Sequence, residues 1–197
     1  MAGLSRIGAG IAWLVLPMAV FAGITAAWAA EIDSAYTKLD LNACPIVDQN
    51  LEEGSWTLVR CAGYRGRPVF VGEGDLRFFV WFDQRKSDEP LASQTLGPFN
   101  TIGETTEWRL RRVGGEWQAF ATILRYRTSL NDDQDQGEVL VVSQLQPGAT
   151  CHIAYVDART NPDANALARD AADRLAGSFD CNDTPERVGT PGPSLGE

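Results

Sequence analysis

Over most of its length the chain alternates apolar and polar residues in short stretches, and the period changes near the C-terminus. Residues 56–61, 68–72, 76–83, 107–113, 116–127, 138–145 and 150–157 are rich in Val, Ile, Trp, Phe and Tyr and are bounded by Gly, Pro, Asn or Asp. A run of such segments predicts seven β-strands. After Asn161-Pro162-Asp163 the period lengthens, and Ala164, Leu167, Ala168, Ala171, Leu175 and Phe179 fall on one face of a helix. Asn161 suits the N-cap, Pro162 the first turn, Asp163 the positive end of the helix dipole and Gly177 the C-terminal stop. The expected fold is α+β. It has an antiparallel sheet of six or seven strands, strongly twisted or sandwich-like, with one C-terminal α-helix packed on it.

Gly114-Gly115 signals a two-residue hairpin turn that pairs Val113 with Glu116. Counting back, Leu110 meets Ala119 and Trp108 meets Ala121, with Ile123 further along, and this is the expected core face. The other face carries Arg109 opposite Phe120 and Arg111 opposite Gln118, a half-wet surface with Arg stems on an aromatic ring. The segment 76–83 is apolar on both faces, which predicts a central strand covered on two sides. Between two strands lies a 23-residue stretch, 84–106, which Leu96, Phe99 and Ile102 anchor as an ordered loop over the sheet.

The two ends differ from the middle. Residues 1–30 hold one charge, Arg6, then an apolar run and Ala27-Trp28-Ala29, the order of a secretory signal peptide over residues 1–29. The same run is long enough to span a bilayer as an uncleaved anchor. Residues 30–53 are acidic and read as mostly irregular. Residues 182–197, with three prolines and three glycines, read as a disordered tail. Residues 30–181 are then one periplasmic domain.

Cys44, Cys61, Cys151 and Cys181 all follow the leader, and four cysteines in an exported chain imply two disulfides. A strand from Cys151 runs out about 20 Å and the following helix returns about 20 Å, which brings Cys181 back beside Cys151. Cys44–Cys61 follows by elimination. Zinc would need closer cysteine pairs than a spacing of 17, and the chain has one histidine.

The net charge is -9, so an acidic surface argues against nucleic acid as partner. Residues 54–130 nevertheless hold eleven basic against eight acidic residues. Arg60, Arg65, Arg67, Arg77, Arg109 and Arg111 can form a patch for phosphate or carboxylate if their strands are adjacent; the alternative is internal pairing or solvated strand faces. Asn131, Asp133 and Asp135 have the alternate spacing of a calcium loop, but Gln136 and Val142 stand where Gly and Glu are required, so a solvated hairpin tip is expected. His152 sits beside a bridged cysteine and reads as structural rather than as a general base. Glu73 and Asp75 flank Gly74 as ordinary turn acids, and no nucleophile elbow, phosphate loop or cofactor motif is present.

Cys61-Ala62-Gly63-Tyr64-Arg65-Gly66-Arg67-Pro68-Val69-Phe70-Val71, followed by Glu73-Gly74-Asp75-Leu76-Arg77-Phe78-Phe79, resembles small exported bacterial proteins of uncharacterised function. Thr101-Ile102-Gly103 before Glu107-Trp108-Arg109, and Cys151-His152-Ile153-Ala154-Tyr155-Val156-Asp157 before Asn161-Pro162-Asp163-Ala164-Asn165, extend the resemblance over about residues 40–181. It implies export and a single domain, and it transfers no catalytic residue. The expected function is a non-catalytic periplasmic module that recognises an envelope component or protein partner, with membrane contact only through the leader. Arg77, Arg109, Arg111, Phe99 and Asn100 are its candidate binding residues. An inhibitor of a secreted enzyme such as lysozyme, and a hydrolase using paired carboxylates, stand as alternatives.

Overall fold

The computed structural model describes Gly3 and residues 31–52, 54–83, 90–130 and 135–196. The expected leader, the first part of the long loop and most of the candidate calcium loop lie outside the described residues. Among the described residues ten strands form two sheets. The larger joins β1 (Ile32–Lys38), β6 (Asn100–Val113), β7 (Glu116–Leu130), β8 (Asp135–Gln144), β9 (Cys151–Asp157) and β10 (Glu186–Arg187) in that order. The smaller runs β2 (Ile46–Asn50), β3 (Trp56–Ala62), β4 (Pro68–Gly74) and β5 (Arg77–Phe82). All pairings are antiparallel except that of β10 with β9. The seven expected strands are present, and β1 and β2 form in the segment read as irregular.

The sheets face each other across one apolar core. Cys61, Val69, Val71, Val80 and Phe82 from the small sheet meet Trp108, Leu110, Leu124, Tyr126 and Val141 from the large one. Trp108 is fully buried, edge-on to Phe82, and its Nε1–H donates to Thr37. The helix α1 (Ala164–Leu175) covers the other face of the large sheet. Ala164, Ala168, Ala171 and Ala172 form its buried stripe, and small side chains let the helix axis approach Ile123, Leu140 and Ile153 closely.

Both disulfides form as expected, Cys44–Cys61 and Cys151–Cys181. By loop closure each contributes about 2–4 kcal/mol. Gln144, fully buried, donates to the Ala149 and Phe179 carbonyls and accepts from Gly177 N–H, and so fixes the helix exit beside Cys151–Cys181.

Several expectations are corrected. The Gly114-Gly115 turn has both residues at positive φ and pairs Val113 with Glu116, Arg111 with Gln118 and Leu110 with Ala119 as anticipated. Beyond Leu110 a bulge inserts Phe120, so Trp108 faces Thr122 and Arg109 faces Ala121. One extra residue reverses the side-chain phase. Ala121 and Ile123 therefore pack under the helix instead of joining Trp108, and the face expected to be half wet is the helix-covered one. β5 is an edge strand rather than a central one. Its outward face is apolar because Trp81 stacks on Phe70 of β4. Its free edge is met by side chains, with Asn100 accepting from Phe78 N–H and Thr95 donating to the Phe78 carbonyl.

The helix begins after Asp163, and Asn161 is not its cap. The buried Asn161 amide instead donates to the Asp157 and Thr190 carbonyls and accepts from Thr190 N–H. That contact belongs to the tail. Residues 182–196, expected to be disordered, are a strap across the sandwich end. Ser194 is fully buried: its N–H donates to Asp157, its carbonyl accepts from Thr128 and its hydroxyl accepts from Glu138 N–H. The prolines and glycines that suggested disorder allow the close approach. A Cβ on Gly192 would lie within 2.3 Å of Asp157 Oδ2.

Candidate functional site

The sheets diverge at the end of the sandwich where β4 turns into β5 and β6 begins. The gap is a cleft of about 550 Å³. Thr57, Val59, Val71, Glu73 and Phe78 of the small sheet form one wall. Leu41, from a short 3-10 turn after β1, adds to the lining. The large sheet contributes Asn100, Thr101, Thr128 and Ser129, and Leu76 and Phe99 stand at the mouth. The exposed lining surface is mostly apolar, although eight of the fourteen lining residues, Arg127 and Gln136 among them, are polar or charged.

Two local features shape the mouth. The β4–β5 turn places Asp75 and Leu76 at φ of +51° and +58°. A leucine there is strained by about 1–2 kcal/mol, and its side chain stays 61% exposed. Asp75 and Leu76 form the two-residue turn that closes the Gly74–Arg77 pair, the primed geometry that hairpins favour. Asn100 is the second feature. It is buried, and its amide donates to the carbonyl of Pro98 at 2.9 Å and to Thr95 Oγ1 at 3.2 Å while its Oδ1 takes Phe78 N–H at 3.0 Å. Its own N–H donates to the Leu76 carbonyl. With its polar atoms engaged, Asn100 positions Phe99. Phe99 is 45% exposed, with the Arg77 guanidinium 4.9 Å from its ring centroid.

The structure separates the residues expected to act together. Phe99 and Asn100 line the cleft and Arg77 stands beside it, paired with Asp75 at 2.7 Å and donating to the Gly97 carbonyl. Arg109 and Arg111 lie across the large sheet, under α1. Arg109 makes a two-pronged contact with Asp173 and donates to Ser34. Arg111 lies 4.0 Å from the Phe120 ring centroid and donates to the Ala176 carbonyl. Arg65 pairs with Glu116 and Arg67 with Asp83. No shared arginine face exists among these residues, because the helix covers one face of the large sheet and the sandwich core fills the other.

Glu73, read along the chain as an ordinary turn acid, and Thr57, which sequence reading passed over, both line the inner wall. They are direct cross-strand partners on the inner face of β4 and β3. Among the described residues neither side chain makes a hydrogen bond or ion pair. The signal was available in the alternation Val69-Val71-Glu73, which puts Glu73 on the same face as two core valines. Arg127 also borders the cleft, but it alternates with Thr128 and shares the helix-side phase of Ile123 and Arg125.

His152 is buried and hydrogen-bonds Tyr155 Oη through Nδ1 at 2.9 Å. Burial pushes its pKa down to about 3, so it is neutral at physiological pH. It does not line the cleft. Among the described residues no group of three His, Cys, Asp or Glu side chains is placed to hold a metal, and no helix is long and apolar enough to cross a membrane. A larger groove of about 830 Å³ runs beside the strap, lined by Pro191, Gly192, Pro193 and Gly196. Its one arginine, Arg159, donates to the Gln136 carbonyl. A third hollow, between α1 and β6, is lined by Glu107, Arg125 and Arg169, each already in an ion pair. No family model, curated protein or solved structure matches this chain.

Proposed function

We propose that the protein is a non-catalytic binding module of the bacterial periplasm and that its ligand site is the cleft between the two sheets. The observation that carries this reading is the apolar cleft itself, rimmed by a strained, exposed Leu76 and an exposed Phe99 on segments that the Asn100 hydrogen bonds tie together. Apolar side chains left at a mouth rather than packed in a core serve a visiting apolar group. Two disulfides support an oxidising compartment. The reading of the only histidine as a buried neutral core residue supports binding over acid–base chemistry.

The test is titration with N-phenyl-1-naphthylamine, a neutral apolar dye that brightens on leaving water. We expect saturable binding of one dye per chain, lost in Leu41→Trp, which fills the cleft from its half-buried 3-10 turn, with the thermal midpoint preserved. Dye binding that does not saturate, or that Leu41→Trp leaves unchanged, refutes the cleft as the site.

A further inference from the structure

We infer that the ligand of this cleft is a small organic cation, an ammonium group carried on an apolar body. The inference rests on the cleft being the binding site and adds what the cleft selects.

The argument begins with Glu73. Its carboxylate is half-buried on the inner wall, in line with Val69 and Val71, and its cross-strand neighbour is Thr57. The other surroundings are Leu41, Val59, Val71 and Phe78. Among the described residues no cation or hydrogen-bond donor meets it. Of the nearby arginines, Arg77 is paired with Asp75, and Arg127 borders the cleft from the large sheet without an ion pair to Glu73 among the described residues. A carboxylate in a partly dry, apolar recess lacks the partner that makes such burial favourable. An ammonium entering the cleft supplies that partner through a charge-assisted hydrogen bond.

The remaining walls fit the same ligand. Thr57 Oγ1 can accept a second N–H. Phe78 and Phe99 add aromatic surface for the apolar body, the Phe99 ring lying against the Arg77 guanidinium. The volume, about 550 Å³, accommodates an arylalkyl or alkyl body beside the charged group. An anionic ligand would meet the Glu73 carboxylate on the inner wall, within a chain of net charge -9.

The experiment compares three probes of one shape by isothermal titration calorimetry: 4-phenylbutylammonium, 4-phenylbutanol and 4-phenylbutyrate. The expected result is one-site binding with the ammonium favoured over the alcohol by about tenfold and the carboxylate weakest. Glu73→Gln should abolish the preference while leaving the alcohol's affinity unchanged. Glu104→Gln, which removes an equal charge outside the cleft, should leave the preference intact. Phe99→Ala should weaken all three probes. Equal binding of ammonium and alcohol, with Phe99→Ala still weakening both, overturns the cation and leaves the cleft as a binding site. A preference reduced as much by Glu104→Gln as by Glu73→Gln assigns it to net charge and also overturns the inference. Absence of saturable binding by every probe refutes the site and its selectivity together.

Discussion

Arg109 offers the sharpest test of the structural reading, because a solvated binding arginine and an internal ion pair respond to mutation in opposite ways. Its side chain is 9% exposed and contacts Asp173 through Nε at 2.9 Å and through Nη2, with Ser34 on the third nitrogen. Glu107, the nearest other carboxylate at 3.9 Å, is engaged by Arg169 at 2.6 Å. Asp173→Asn therefore leaves a guanidinium buried between helix and sheet with half its partners gone. Breaking a fully buried pair costs about 3–5 kcal/mol, and because Asp173 retains 28% exposure we expect the lower part of that range, about 3 kcal/mol. For a domain of this size that is a fall in thermal midpoint of about 6–12 °C. Arg109→Met should cost a similar amount. The double variant Arg109→Met with Asp173→Leu replaces both charges by apolar groups and should cost no more than Arg109→Met or Asp173→Leu alone, about 3 kcal/mol where additive losses would give about 6, a coupling energy of about 3 kcal/mol. Urea denaturation of the four proteins measures it. A midpoint for Arg109→Met within a degree of the parent, or strictly additive losses, would refute the internal pairing.

Two further outcomes are expected. His152 is held neutral in the fold with a pKa near 3, against 6.5 for the free side chain, so below pH 6.5 the unfolded chain takes up a proton that the folded one does not. Stability should fall by about 1.4 kcal/mol per pH unit from roughly pH 6.5 down towards pH 3, and His152→Phe should flatten that part of the urea-stability profile relative to the parent; parallel profiles would contradict a neutral buried imidazole. Deleting residues 188–197 removes the three Ser194 hydrogen bonds and should lower stability by about 3 kcal/mol, whereas an unchanged midpoint would show the strap to be a passive tail.

Local sequence determined the elements and their staples. Strand composition located seven β-segments, the lengthened period after Asn161 located the helix and its alanine face, and strand-out, helix-back arithmetic paired Cys151 with Cys181. These succeed because they depend on neighbours within a few residues, or on chain lengths fixed by rise per residue. The glycine turn likewise set the register of β6 on β7 up to Leu110. Beyond that point tertiary packing decided. The Phe120 bulge reversed the side-chain phase of β7 and put Ala121 and Ile123 beneath the helix, on the face that carries Arg109 and Arg111, and no local propensity marks where a bulge relieves the twist of two sheet layers. The acidic segment before residue 54 became β1 and β2 because long-range partners in β6 and β3 complete their hydrogen bonds, not because its own pattern demands a strand. The Pro- and Gly-rich tail became a strap because buried acceptors and donors at Asp157, Thr128 and Glu138 await Ser194. The cleft has the same origin. Glu73 looks like an ordinary turn acid along the chain, and only the divergence of the two sheets leaves its carboxylate facing the cleft with no partner among the described residues.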